Sequence, residues 1–167
     1  LRIERTWKNG DKVDIRFPMP VAVSSHWMND SVAVTRGPLV FSLLIDEQWS
    51  STHDYLGGRF QTREIRPASP WNYALVLNDK DTVPADVIIA DAMPPQPFRA
   101  ADAPVRLKLK AFRTDENGWG TYRTDYPARA IEPPVSPIPH EGTAEEITLV
   151  PYGSTEIRIT HFPWAKD

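Results

Sequence analysis

The chain is 167 residues long, 41% hydrophobic and 25% charged, a composition that suits a folded domain with a core and excludes a disordered tail. Its 19 Lys and Arg stand against 22 Asp and Glu, a net charge of -3, so no broad positive field draws nucleic acid or anionic lipid, and neither is expected as a partner. The cysteine count is 0, which removes disulfides, a thiolate nucleophile and Cys-type zinc sites from the chain's own repertoire while leaving its compartment open.

The 17 Pro and 8 Gly put a helix breaker about every seven residues, which leaves little room for long helices. Leu1-Arg2-Ile3-Glu4 opens the chain without an initiator Met or a signal-peptide hydrophobic region, so a piece of a longer polypeptide is expected. Strand patterning starts at once. Lys12-Val13-Asp14-Ile15-Arg16-Phe17 alternates strictly, placing Val13, Ile15 and Phe17 on one half-buried face, and Asn9-Gly10 supplies a tight turn, so residues 1–17 are predicted to form a hairpin. A second run spans 31–35. After Arg36-Gly37-Pro38, which breaks the ladder, the apolar stretch Leu39–Ile45 predicts a central strand buried on both faces.

Residues 46–70, with Gly57-Gly58 in the middle, are predicted as a long loop with at most one short strand; any helix would fall at 44–56, which lacks Pro and Gly. Strands are then predicted at 73–77, 86–90 and 105–110, the last aiming Val105, Leu107 and Leu109 inward. Met93-Pro94-Pro95-Gln96-Pro97-Phe98 cannot be helical, and Pro133–Pro139 predicts a stiff extended crossing. Final strands are expected at 146–150 and 155–160, joined by a turn at Pro151-Tyr152-Gly153-Ser154. Many short strands with Pro and Gly turns predict a single all-β domain, an antiparallel two-sheet β-sandwich, jelly-roll-like, with long Pro-rich loops.

No chemistry-bearing constellation stands out. His26, His53, His140 and His161 lie far apart without metal-ligand spacing, and no G-x-S-x-G elbow or glycine-rich phosphate cradle occurs. Asp115-Glu116-Asn117-Gly118 lacks the acidic spacing of a calcium loop and predicts a hairpin turn instead. Among 22 acids a pair suited to glycoside hydrolysis would be set by folding, not by spacing, so an independent two-carboxylate enzyme is a third reading. The aromatic residues are more informative. Trp27, Trp49, Trp71 and Trp119 fall outside the cleanest strand runs, where a ring can pack internally, meet a neighbouring domain or stack on a sugar.

Four blocks carry a family resemblance: Trp7–Val13 leading to Phe17-Pro18-Met19; Val32-Ala33-Val34-Thr35-Arg36-Gly37-Pro38-Leu39-Val40; Trp71-Asn72-Tyr73-Ala74-Leu75; and Leu149–Thr155 followed by Ile157–Thr160 and Phe162-Pro163. In this order they resemble the C-terminal part of the β-L-arabinofuranosidase type of glycoside hydrolases, families 127 and 146. The resemblance implies a bacterial parent enzyme acting on plant-type or related glycans, with an (α/α)6-barrel catalytic domain as this chain's partner. It also implies that the cysteine nucleophile and any zinc belong to the barrel, since no cysteine stands here to receive those roles. The chain would then be a noncatalytic accessory sandwich that stabilises the barrel, in a periplasmic or secreted protein more than a cytoplasmic one. A carbohydrate-binding module is the alternative. Trp71 and Tyr73, followed by Trp119 and Tyr122, are the residues expected to contact the barrel or carbohydrate, because they sit where loops meet strands.

Overall fold

A computed structural model describes residues 2–24, 27–78, 82–122, 130–139 and 142–166. In chain order the strands are β1 (Val21–Ser24), β2 (Ala33–Arg36), β3 (Leu39–Leu43), β4 (Glu47–Tyr55), β5 (Phe60–Pro67), β6 (Tyr73–Leu77), β7 (Ala85–Ile89), β8 (Val105–Arg113), β9 (Gly120–Tyr122), β10 (Ala130–Glu132), β11 (Glu145–Pro151) and β12 (Trp164–Lys166). The helical elements among the described residues are single 3-10 turns, as the spacing of Pro and Gly predicts. The fold is all-β and of sandwich type.

Eight strands form one sheet in the order β1-β2-β3-β11-β8-β6-β12, with β7 also on β8; β4–β5 and β9–β10 are separate two-stranded sheets. Strand β8 organises the whole. One edge pairs with β11, from Glu145↔Ala111 to Leu149↔Leu107, while the other is shared between β7 at Val105–Leu109 and β6 at Ala111–Arg113. Its alternation works as the sequence predicts: Leu107, Leu109 and Ala111 are buried in the main core with Phe41, Leu43, Leu75, Leu77, Ile147, Leu149, Phe162 and Trp164. Strand β6 is buried along its whole length because its other face meets a second small cluster, Val76, Phe112 and Ala165, beneath Ile138. Ile138 lies on the Pro-rich crossing, pinned by Ile138 N to Trp164 O at 2.9 Å and Ser136 N to Asn29 O at 2.9 Å.

Several local expectations are overturned. Residues 2–20 contain no strand, and Val13, Ile15 and Phe17 are exposed, not half-buried. The Asn9-Gly10 turn does form, with Gly10 at φ +90, Asp11 N donating to Lys8 O at 3.1 Å and the Asp11 carboxylate holding Arg5 and Lys8 N. A strand pattern needs a third strand or a packed face to become a sheet, and these residues meet neither here. The reverse error occurs at 46–70, where β4 and β5 pair from Glu47↔Pro67 to Tyr55↔Phe60 around Leu56-Gly57-Gly58, all at positive φ. Their polar faces hide the period that would reveal them.

Leu39 and Val40 at the start of β3 are exposed, so only its second half is doubly covered. Arg36-Gly37-Pro38 does not interrupt a ladder: it closes a two-residue hairpin in which Arg36 pairs with Leu39. Gly37 has φ +57, a backbone conformation that favours glycine, and a Cβ there would make the flexible Met19 side chain, now 2.8 Å away at Sδ, shift aside. Asn117-Gly118 forms a 3-10 turn capped by the Asp115 carboxylate, but β9 pairs with β10 and not β8, so no hairpin results. Residues 155–160 are not a strand. They run beside β3 without a ladder, joined to it by Leu43 N donating to Ile159 O at 2.9 Å and Thr155 Oγ1 donating to Ser42 Oγ at 3.3 Å.

Candidate functional site

Trp71, Tyr73 and Trp119 gather at one end of the sheet, where β6 begins and β8 ends, but as packing and not as an open aromatic surface. Tyr73 is 6% exposed and Trp119 8%, and Trp71, half-buried, meets Trp119 edge to face with ring centroids 5.3 Å apart. The indole N–H of Trp119 donates to Thr114 Oγ1 at 2.8 Å, and that hydroxyl donates to Asn72 O at 3.0 Å. Asn72 is itself buried, its Nδ2 donating to Thr114 O, and Thr114 N returns a bond to Asn72 O at 2.9 Å. The Trp71-Asn72-Tyr73 block is thus a latch between the start of β6 and the chain leaving β8. Burial, assisted by the negative charge of Glu145, holds the Tyr73 hydroxyl above the usual phenol range. Tyr122 lies in β9, but its side chain falls outside the described residues.

The opposite end of the sheet, where β7 and β11 end and β3 and β8 begin, is open. A groove of about 920 Å³ runs there between Leu39 and Val40, Ile89, the 91–104 connection and the Pro151–Ser154 turn. Its rim carries Met93 and Phe98, the latter 79% exposed. The connection that raises these side chains is braced by Ser154 Oγ donating to Pro97 O at 3.1 Å and by the Arg106 guanidinium donating to the carbonyls of Ala100 and Ala101. Two blocks that carry the resemblance, Arg36–Val40 and Pro151–Ser154, contribute to its lining. Sequence reading missed this groove because Val87-Ile88-Ile89 looks like core. The signal was Met93 and Phe98, apolar residues on a loop stiffened by three prolines, which cannot turn them inward.

The β4–β5 hairpin is a second open surface. Its base is fixed by Glu47, whose Oε1 accepts from Glu156 N at 3.0 Å and Ile157 N at 3.1 Å. Beyond the base, Trp49, Tyr55, Leu56 and Phe60 are all exposed, with Arg63 over the Trp49 ring at 6.0 Å. The hairpin's side chains take no part in the main core.

The two described histidines have separate aromatic partners. His53 sits on the hairpin against Tyr55 at 4.4 Å, His161 stacks on Trp27 at 4.8 Å, and His26 and His140 lie outside the described residues. Among the described residues no group of three or more His, Asp or Glu could hold a metal ion, and no helix is long and apolar enough to cross a membrane. Burial pushes the His161 imidazole below the ordinary histidine range, so the folded state disfavours its protonated form. The unfolded chain therefore takes the proton first, and this contribution to stability is present above about pH 6.5 and is lost as the pH falls below it. His161→Phe, which keeps an aromatic ring on Trp27, should flatten the fall of melting temperature on acidification below about pH 6.5. Parallel profiles for wild type and variant would assign the acid sensitivity elsewhere.

Compared with protein-family models, curated proteins and solved structures, the chain matches none.

Proposed function

We propose that this chain is a noncatalytic accessory sandwich that packs against the (α/α)6-barrel catalytic domain of a β-L-arabinofuranosidase-like glycoside hydrolase, with the β4–β5 hairpin as its main docking arm. The observation that carries the reading is the hairpin itself. An isolated two-stranded sheet is marginal in water, yet this one extends eight paired rungs, from Glu47↔Pro67 to Tyr55↔Phe60, with Trp49, Tyr55, Leu56 and Phe60 in solvent. Large apolar residues held out on a fixed base are what a neighbouring domain covers. The four sequence blocks that resemble the C-terminal part of such enzymes supply the identity of that neighbour. A sugar-binding reading has less support, because the open groove is almost wholly aliphatic and aromatic, whereas a sugar needs several convergent polar groups.

The test compares the chain alone with a protein that also contains the barrel. Leu56→Ser with Phe60→Ser should leave the chain alone within about 0.5 kcal/mol of wild type, as exposed positions do. In the two-domain protein the same pair should weaken a desolvated contact by about 2–4 kcal/mol, read as a lower melting temperature of the barrel. Equal, small effects in both proteins would remove the hairpin from the interface.

A further inference from the structure

The N-terminal arm and the edge of β7 are two unsatisfied halves of one interaction. In the arm, Lys12–Phe17 has the alternation of a strand, and Val13, Ile15 and Phe17 face solvent, Phe17 at 76% exposure. Strand β7 pairs with β8 alone among the described strands, so alternate backbone N–H and C=O groups along its outer edge face away from the sheet. Its Val87, Ile88 and Ile89 are exposed, Ile89 at 57%, and Ile89 leads directly into the 920 Å³ groove. A strand edge this apolar is a ready template for another extended segment.

We infer that residues 12–17 of one copy add as a strand to the β7 edge of a second copy, with Val13, Ile15 and Phe17 covering Val87, Ile89 and the groove beside Phe98, and that the exchange is reciprocal. Two observations favour a second copy over the arm's own body, and a third supports the pairing of arm with edge. The arm leaves the domain through Phe17-Pro18-Met19-Pro20, where two prolines fix φ and hold the residues before them extended, so the segment cannot reverse sharply. Met19 anchors its root against Gly37, beside the groove, yet no residue of the arm lines that groove. Charge is also complementary. Residues 2–17 carry Arg2, Arg5, Lys8, Lys12 and Arg16 against Glu4, Asp11 and Asp14, while residues 84–92 carry Asp86 and Asp91 and no cation. Lys108, which lies opposite Asp86 in the β7–β8 register, is already held by Glu146 at 2.7 Å. Reciprocal exchange closes as a two-fold dimer and leaves no open end to polymerise.

This inference is independent of the parent enzyme, and its test uses the 167-residue chain. Light scattering coupled to size exclusion, and sedimentation over a micromolar concentration series, should show a dimer. Ile15→Glu with Phe17→Glu in the arm, and separately Ile89→Lys on the edge, should each weaken dimerisation at least tenfold. Deletion of residues 1–17 should do the same, with a thermal unfolding midpoint showing that the body remains folded. Mixing the arm variant with the edge variant leaves one intact arm and one intact edge, so a heterodimer should form where neither variant pairs with itself. A wild-type chain that stays monomeric throughout, or a dimer indifferent to both variants, would overturn the exchange; a mixture that forms no heterodimer would show that these surfaces do not meet each other.

Discussion

Phe162→Ala is expected to lower the stability of the chain by about 3–5 kcal/mol, the usual loss for truncating a fully buried aromatic ring. Phe162 is completely buried in the main core, and its backbone forms a two-bond bridge to Val32, with Val32 N to Phe162 O at 2.9 Å and Phe162 N to Val32 O at 2.8 Å. The bridge brings the C-terminal segment, which feeds β12 on one edge of the sheet, against the segment that feeds β2 near the other. Filling the space between them is therefore the ring's role, and no surface residue can substitute for it. For a domain of this size the loss corresponds to roughly 6–20 °C in melting temperature. Phe162→Leu, which keeps most of the volume, should cost under about 1.5 kcal/mol. A loss below 1 kcal/mol for the alanine variant, from denaturant curves with an unchanged slope, would place the ring outside the core.

Trp119→Ala is the second large effect, about 3–5 kcal/mol, and it is expected in the chain alone. The side chain is 8% exposed, it meets Trp71 edge to face, and its indole N–H is bonded to the Thr114 hydroxyl that joins the Asn72 latch. Trp71→Ala should cost less because Trp71 is only half-buried. The double variant should reveal a coupling of about 0.5–1.5 kcal/mol, the worth of an aromatic pair beyond its buried area. A ring whose partner is a neighbouring domain would behave in the opposite way, indifferent in the chain alone and costly only when the barrel is present. Melting curves of the single variants in the chain alone distinguish the two, and an unchanged midpoint for Trp119→Ala would return that ring to the surface.

The strands that sequence reading located best are β6, β8 and β11. Their periods are set by burial against neighbours that also come from clean apolar runs, as when Leu107 pairs with Leu149 and Leu75 with Ala111. The hairpin β4–β5 escaped the same reading because polar pairs such as Ser50 with Glu64 and Ser51 with Arg63 separate its apolar pairs, Trp49 with Ile65 and Tyr55 with Phe60, and break the period. The expectation of a strand at 155–160 failed for a different reason. Ile157 and Ile159 do pack on the core, but the segment meets β3 through single bonds such as Leu43 N to Ile159 O, so their alternation reports burial without a ladder.

The class of the molecule is legible in the sequence: an all-β fold forced by closely spaced Pro and Gly, a core of alternating aliphatic residues, and the Asn9-Gly10 turn where positive φ is required. Tertiary structure alone decided which apolar residues that core accepts. Val13, Ile15 and Phe17 follow the same period as Val105, Leu107 and Leu109, yet the first set stands in solvent and the second packs, because β8 lies between β11 and the pair β6 and β7 while the arm has no strand beside it. The same holds for the aromatic residues. Trp71 and Trp119 are more than forty residues apart and became neighbours only when β6 paired with the end of β8 at Tyr73↔Arg113. Alternation is a property of one segment, whereas burial is a property of two, and the second segment is supplied only by the fold.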